Sequence, residues 1–120
     1  MKTVLAVDDS ASLRQMVSMV LRGGGYEVVE AVNGVDALSK LAGQDLDLVL
    51  TDLNMPRMDG LEFTRRLRTM PDYKFVPIVL LTTESNVDKK LQGKVAGATA
   101  WIIKPFDPDQ LLAVVKKVMR

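Results

Sequence analysis

The chain has 120 residues, 48% of them hydrophobic, and its 16 basic and 15 acidic residues nearly cancel. This length suits one compact domain with its own core, so we predict a single domain over residues 1–120 and, from the balanced charge, no nucleic-acid partner. Because the chain has no cysteine and no histidine, disulfides, thiolate nucleophiles, Ser-His-Asp catalysis and zinc sites built from those side chains are excluded.

The first third of the chain has the pattern of a strand, a helix and a strand. The first strand is predicted over 3–8 ("TVLAVD"), and Ser10 is the expected N-cap of a helix that the glycines at 23–25 stop. The apolar residues of this helix recur at helical spacing, at Leu13, Met16, Val17, Val20 and Leu21. The second strand is predicted over 26–31 ("YEVVEA").

The middle of the chain repeats this alternation. Asn33 is expected to cap a helix over 34–43, and a strand follows over 46–52 ("LDLVLTD"). After a loop, Asp59 and Glu62 are spaced as an acidic variant of a capping box, which predicts the start of a third helix.

The last third contains two further strands with a helix between them. The fourth strand is predicted over 75–83, with Pro77 near its start because proline donates no ladder hydrogen bond. A helix over 85–97 is predicted to be weaker, since Gly93 in its interior costs about 1 kcal/mol relative to alanine. The fifth strand is predicted over 99–104 ("TAWIIK").

A fifth helix closes the chain and completes an α/β pattern. Asp107 is its expected N-cap, Pro108 takes its first position, and its buried stripe comprises Leu111, Val115 and Val118. Strands that alternate with helices form a parallel sheet with helices on both faces. We therefore predict a flavodoxin-like, doubly wound (βα)5 domain whose five parallel strands lie in the order 2-1-3-4-5.

Polar residues follow the strands at their carboxyl ends, which share one edge of a parallel sheet. They lie at the ends of strands one, three, four and five: Asp8, Asp9, Asp52, Thr82 and Lys104. Ligands of open α/β sheets bind at this edge, where the strand order reverses. With strands one and three as neighbours, we expect the three carboxylates to converge.

Converging carboxylates repel one another, and a divalent cation would relieve the repulsion. Oxygen ligands without histidine or cysteine favour Mg²⁺ over zinc. Taken alone, the Asp8–Asp9 pair is equally well explained by a helix N-terminus, where a carboxylate contributes roughly 0.3–1 kcal/mol. Together with Asp52, Thr82 and Lys104, the pair indicates phosphoryl transfer, which needs a carboxylate nucleophile and donors that balance charge on the phosphoryl oxygens.

Four motifs and the distances between them resemble those of a known family. They are "VDDS", "TDLNMPRMDG", "LLTTES" and "GATAWIIKPF". Over its whole length the chain resembles a response-regulator receiver domain, and most closely the stand-alone chemotaxis members of that family. The strand order 2-1-3-4-5 is a property of the same family and is therefore not an independent result.

The resemblance implies a role for each residue at this edge. Asp52 is the implied phosphoacceptor, Thr82 the switch hydroxyl that meets the phosphoryl group, and Lys104 its cationic partner. Mg²⁺ is the implied cofactor, and four residues are implied to hold it: Asp8, Asp9, Asp52 and Asn54 through its main-chain carbonyl. The Lys104–Pro105 bond is similar to one that is cis in the family.

Two positions depart from the commonest pattern of the family, and two others are implied to set the phosphoryl lifetime. Thr83 stands where alanine is more usual, and Trp101 stands where the rotating aromatic is more often tyrosine or phenylalanine. Packing against a helix and a switch role explain Trp101 about equally well. Asn54 and Glu84 resemble residues that tune hydrolysis of the phosphoryl group.

The resemblance implies a two-component signalling protein. A chemotaxis-type histidine kinase would phosphorylate Asp52, and the surface of the fourth helix, fifth strand and fifth helix would then control a flagellar motor switch or another target protein. A phosphatase is a further partner, and the chain would catalyse only its own phosphorylation and dephosphorylation. We expect a cytoplasmic monomer without membrane insertion, because no apolar run could span a bilayer, and we expect no attached DNA-binding domain.

Several alternatives remain open from the residues alone. A phosphate sink for the same kinase fits the same pattern, and so does an unphosphorylated adaptor, although the intact acid set argues against the adaptor. A small Mg²⁺-dependent aspartyl-phosphate hydrolase of the haloacid dehalogenase type would need a D-x-D element where this chain has "DDSAS". A flavodoxin-type flavin binder would need a phosphate loop there, which the carboxylate pair would repel.

Overall fold

The computed structural model describes residues 1–83 and 86–119. Within these ranges five strands alternate with five helices: β1 Thr3–Val7, α1 Ala11–Gly23, β2 Glu27–Ala31, α2 Gly34–Ser39, β3 Leu48–Asp52, α3 Gly60–Arg68, β4 Ile78–Thr82, α4 Val87–Ala96, β5 Ala100–Ile103 and α5 Pro108–Val118. A short 3-10 turn over Pro71–Tyr73 lies between α3 and β4. In the part of the chain so described, no helix has the length and apolar character needed to cross a membrane.

The strands form one parallel sheet in the order β2-β1-β3-β4-β5. This confirms the predicted flavodoxin-like fold and its strand order. β1 lies between β2 and β3, so that Val4 pairs with Val28 on one side and with Leu48 on the other. The order of the strands reverses between β1 and β3, which makes their carboxyl ends neighbours.

Two helical layers cover the sheet, because alternate strand residues point to opposite faces. Val4 and Ala6 pack in one core cluster with α1 and α5, whereas Leu5 and Val7 pack in another with α2 and α3. β3 and β4 are buried at every position, as their continuous apolar runs predict for parallel strands. Polar side chains on these central strands are therefore concentrated at the strand ends.

Side-chain caps start the helices at the predicted residues. In each case a side-chain oxygen accepts a backbone N–H from the first turn of the helix, and the capping residues are Ser10, Asn33, Asp59 and Asp107. Pro108 begins α5, as predicted. These caps fix where each helix leaves the edge of the sheet that carries the polar residues.

The prediction that the second helix extends to Gly43 is wrong, because α2 ends at Ser39. The amides of Lys40 and Leu41 bond to carbonyls three residues earlier, at 3.0 and 3.4 Å, which tightens the last turn. Leu41 then turns into the core, where it is 2% exposed. Burial of this side chain ends the helix before the glycine is reached.

All five strands are shorter than predicted, β4 most of all. β4 begins at Ile78 because Pro77 has a carbonyl that accepts from Val49 N at 2.9 Å but no N–H to donate. Phe75, which the prediction placed in the strand, is 87% exposed. β1 ends at Val7, so Asp8 lies just beyond the strand rather than inside it.

Candidate functional site

Four charged side chains meet where β1, β3 and β5 end. One carboxylate oxygen from each of Asp8, Asp9 and Asp52 lies within 4.8 Å of the others. Lys104 Nζ lies 3.0 Å from Asp52 Oδ1 and 3.5 Å from Asp8 Oδ2. The convergence of three carboxylates expected from the strand order is therefore present in the structure.

Hydrogen bonds to the backbone hold Asp8 and Lys104 just beyond the ends of their strands, and Asp52 is the last residue of β3. The Asp8 amide donates to Ala31 O at 3.1 Å, and Asp8 Oδ1 accepts from Ser10 N at 2.9 Å. The Lys104 amide donates to Thr82 O at 2.7 Å, which ties the residue after β5 to the end of β4. The site is thus built on the sheet itself and not on a long loop.

Asp8 Oδ2 is a buried oxygen that accepts no hydrogen bond from the described residues. Asp8 is 3% exposed, and its contact with Lys104 at 3.5 Å is an ion pair without a hydrogen bond. Leaving a buried acceptor without a hydrogen bond costs about 1–3 kcal/mol. An orphaned carboxylate oxygen among hard oxygen donors fits a divalent cation such as Mg²⁺.

Burial raises the pKa of the Asp52 carboxyl above its ordinary value. The hydrogen bond and the charge of Lys104 act in the opposite direction, and the charges of Asp8 and Asp9 raise the pKa further. The net increase shows that the ionised form of Asp52 is disfavoured by its surroundings. A further positive charge at the cluster would lower this pKa.

The remaining predicted site residues differ in their surroundings. Thr82 is 1% exposed at the end of β4, whereas Thr83 and Asn54 are exposed. The Lys104–Pro105 peptide bond is cis, as the resemblance implies. Glu84, expected to tune the phosphoryl lifetime, lies outside the described residues.

Trp101 lies on β5 and packs against α4. It is half-buried and packs on a small core cluster: Leu53, Leu61, Leu80 and Ala96. An open groove of about 460 Å³ borders its ring and is lined by Val87, Lys90, Leu91, Lys94 and residues 98–101. The ring is therefore placed between the sheet and an exposed helix.

Two residues near the acidic cluster were missed by sequence reasoning. A Cβ atom at Gly60 would lie 2.4 Å from the carbonyl oxygen of Asp52, so α3 can approach β3 only because this residue is glycine. Arg14 donates from Nη1 to the carbonyl oxygen of Asp8 at 2.8 Å. The sequence could have singled out Arg14. It precedes the buried Val17 and Leu21 by three and seven residues, and this helical spacing places its charge on the buried side of α1.

Comparison with known proteins identifies relatives of this chain. Residues 4–116 match the family model described as response regulator receiver domain. The phosphate regulon transcriptional regulatory protein PhoB of Pseudomonas aeruginosa is 40% identical over 119 residues, which cover 99% of this chain and 52% of PhoB. The chain thus spans about half the length of this and the next two curated relatives that it matches.

Two chemotaxis proteins match over nearly their full length. The chemotaxis protein CheY1 of Helicobacter pylori is 37% identical over 118 residues, covering 97% of this chain and 95% of CheY1. The solved structure of the Vibrio cholerae chemotaxis protein CheY4 superposes with a TM-score of 0.95 at 49% identity, covering 98% of each chain.

Proposed function

We propose, because this chain belongs to the response regulator receiver domain family, that Asp52 accepts a phosphoryl group from a histidine kinase. The observation that carries the proposal is the set of contacts around Asp52. Its carboxylate lies at the end of a buried strand, 3.0 Å from Lys104 Nζ, and clusters with the carboxylates of Asp8 and Asp9. A nucleophile, a fixed cation and further oxygen ligands are the groups that phosphoryl transfer requires.

In the proposed reaction, one bond forms and one breaks. A carboxylate oxygen of Asp52 attacks the phosphorus of a phosphohistidine, the P–N bond breaks, and an acyl phosphate forms on Asp52. Lys104 Nζ balances the added negative charge, and the Thr82 hydroxyl is proposed as a further donor to the phosphoryl oxygens. Residues 1–120 contain no histidine, so the phosphohistidine donor must lie outside them.

Mg²⁺ is the proposed cofactor, with Asp8, Asp9, Asp52 and the main-chain carbonyl of Asn54 as its ligands. When bound, it would offset the charge of the three carboxylates and of the transferred phosphoryl oxygens. Two observations support the proposal: the three carboxylates lie together, and Asp8 Oδ2 accepts no hydrogen bond within the described part of the chain. The chain's own contribution is to hold these oxygens in place before the cation arrives.

The proposed output surface is formed by α4, β5 and α5. α4 exposes Val87, Leu91 and Val95, beside the groove bordered by Trp101. Exposed apolar side chains on one helix favour an interaction surface. Shifting the ratio of active to inactive conformations of this surface from 1:99 to 99:1 requires about 5.5 kcal/mol. A few charge-assisted hydrogen bonds to the phosphoryl group contribute a free energy of this order.

Control of a flagellar motor switch is the finer proposal, supported by the two chemotaxis relatives that match over nearly their full length. The chain would act as a cytoplasmic monomer, with a phosphatase as a further partner, and would catalyse only its own phosphorylation and dephosphorylation. Binding of a purified motor switch protein, measured with and without beryllofluoride, tests this output. Failure of both states to bind would favour the phosphate sink or a pathway like that of PhoB.

Asp52→Asn is expected to abolish phosphorylation, because the amide cannot act as the nucleophile. The intact mass after incubation with acetyl phosphate and Mg²⁺ measures the gain of one phosphoryl group. Asp45→Asn is the matched control, since Asp45 is exposed and precedes β3, at the opposite end of the strand from Asp52. Stable, Mg²⁺-dependent labelling of Asp52→Asn would refute the assignment.

A further inference from the structure

Arg14 connects the acidic cluster with the edge strand β2. Its Nη1 donates to the carbonyl oxygen of Asp8 at 2.8 Å, and its Nε donates to Glu30 Oε1 at 3.2 Å. The Arg14 side chain is 15% exposed, in contrast to the 55% of Arg22 on the same helix. One guanidinium therefore ties α1 and β2 to the residue that follows β1.

The contact with Arg14 constrains the peptide unit between the first two acidic residues. Asp8 lies beyond the end of β1, and its amide is held by Ala31 O. The carbonyl that leads into Asp9 is held by Arg14. Because this carbonyl lies between ψ of Asp8 and φ of Asp9, the bond from Arg14 restrains both torsions and with them the placement of Asp9 relative to Asp8.

Glu30 is the acidic partner of the guanidinium that contacts Asp8. A guanidinium close to carboxylates tends to form charge-assisted, bidentate pairs with them. Glu30 accepts the bond from Arg14 Nε and balances its charge at β2. Arg14 Nη1 contacts the Asp8 carbonyl oxygen and not its carboxylate, and Asp8 Oδ2 accepts no hydrogen bond from the described residues.

We propose that Arg14 is a positioning residue that orients Asp8 and Asp9 for Mg²⁺, and that Glu30 in turn orients Arg14. This inference rests on the proposed function, because it concerns the same cation. A positioning role and simple electrostatics predict opposite changes in Mg²⁺ affinity when Arg14 is replaced. Removing a positive charge beside a cation site would tighten Mg²⁺ binding by Coulomb's law, whereas losing the fixed peptide unit would weaken it.

Calorimetric titration of the full chain with Mg²⁺ measures the dissociation constant directly. Arg14→Ala is expected to raise it about tenfold, as is typical when an outer partner of a metal ligand is lost. Arg14→Lys keeps the charge but loses the planar fork, so it also weakens binding. Arg22→Ala is the matched control. Arg22 is on the same helix as Arg14 and lies 3.6 Å from Glu30, but it is not a partner of Asp8. The Mg²⁺ dissociation constant of this variant should stay within about twofold of that of the unsubstituted chain.

The outcomes separate this inference from the proposed function. Equal or tighter Mg²⁺ binding by Arg14→Ala would overturn the positioning role, and if that variant fails to fold by circular dichroism, the Arg14→Lys titration decides. The weakening should persist at high ionic strength, where a purely Coulombic effect is screened. The Mg²⁺ concentration that half-saturates phosphorylation by acetyl phosphate should rise by the same factor. Failure of the unsubstituted chain to bind Mg²⁺ would instead refute the proposed function.

Discussion

Asp52 is subject to two opposing requirements. As the proposed nucleophile it must be ionised, yet burial raises its pKa and so favours the neutral form. Lys104 offsets part of this effect, while the nearby charges of Asp8 and Asp9 add to it. The residue that carries the proposed chemistry is therefore one whose charge destabilises the folded chain.

Asp52→Asn should raise the thermal unfolding midpoint at neutral pH without added Mg²⁺. The pKa of Asp52 is higher in the folded chain than in the unfolded chain, so folded-state stability falls as pH rises through the interval between the two values. Above the folded-state pKa of Asp52 this loss is complete, and the neutral amide avoids it. Thermal unfolding followed at several pH values measures the effect.

The difference between Asp52→Asn and the unsubstituted chain should disappear when the pH falls below the ordinary pKa of aspartate, because both side chains are then neutral. Asp45→Asn serves as the control for loss of an exposed carboxylate. A lower midpoint for Asp52→Asn at neutral pH would show that the ion pair with Lys104 outweighs burial.

Gly60→Ala should destabilise the fold by about 1–3 kcal/mol, the usual range for overpacking. The added Cβ would lie 2.4 Å from Asp52 O and 3.0 Å from Leu53 Cα, and these are backbone atoms that cannot rotate away. Gly23→Ala is the matched control, since within the described residues no atom beyond its chain neighbours and its own helix backbone lies within 4 Å of its Cβ position at the end of α1. Denaturant unfolding measures the stability of both variants. Equal unfolding midpoints for Gly60→Ala and Gly23→Ala would contradict the predicted clash.

At the scale of single residues, the sequence predicts which side chains share a region but not every contact between them. Asp8, Asp52 and Lys104 could be brought together because each follows a strand of a parallel sheet. Gly60 could not be linked to Asp52, because that contact depends on the path of the intervening loop. The partner of Arg14 is a backbone carbonyl, which side-chain patterns do not reveal.

At the scale of elements, α4 shows that a helix can require a residue with poor helix propensity. Gly93 is buried, and a Cβ there would lie 3.0 Å from Leu80 Cδ1 and 3.1 Å from Trp101 Cζ3. The sequence predicted a weak helix from this glycine, and the structure supplies the reason for its presence. Close packing of α4 on β4 and β5 depends on the missing side chain.

Gly93→Ala is expected to displace the ring of Trp101 while changing stability less than Gly60→Ala. The atoms that the new Cβ meets are side-chain ends, which can move, and alanine improves helix propensity by about 1 kcal/mol. Trp101 is the single tryptophan, so its emission reports on the ring directly. The emission maximum of Trp101 is expected to shift to longer wavelength, and acrylamide is expected to quench it more strongly. An unchanged spectrum would mean that the ring is not displaced.

The limits of elements were harder to predict than the elements themselves. Helix starts could be predicted because Asn33 and Asp107 supply local capping oxygens. The end of α1 could be predicted from its glycines, whereas the end of α2 depends on tertiary packing, as the burial of Leu41 shows. Strand starts depend on which amides are available, as Pro77 shows for β4.

At the scale of the whole molecule, the topology could be predicted because few arrangements satisfy a regular alternation of strands and helices. The strand order placed the carboxyl ends of β1 and β3 side by side, and with them Asp8 and Asp52. The fold therefore gathers like charges that no local preference would bring together. The repulsion between Asp52 and the Asp8–Asp9 pair is a property of the folded chain alone, since position 52 is distant from that pair in the unfolded chain.

Mg²⁺ should consequently stabilise the unsubstituted chain more than Asp52→Asn. A ligand that binds only the folded state adds about 2.7 kcal/mol at a concentration one hundred times its dissociation constant. Asp52→Asn lacks one proposed ligand and has already lost the repulsion between position 52 and the Asp8–Asp9 pair, so its midpoint should rise less. Without Mg²⁺, Asp52→Asn should have the higher unfolding midpoint. This difference in midpoint should therefore narrow as Mg²⁺ is added.

Differential scanning calorimetry over a Mg²⁺ series measures both midpoints, with sodium chloride at matched ionic strength as the control for screening. Equal increases in the two proteins would mean that Mg²⁺ acts without Asp52. Convergence of the midpoints in Mg²⁺ but not in sodium chloride would tie the stability of the whole fold to one cation held at the edge of its sheet.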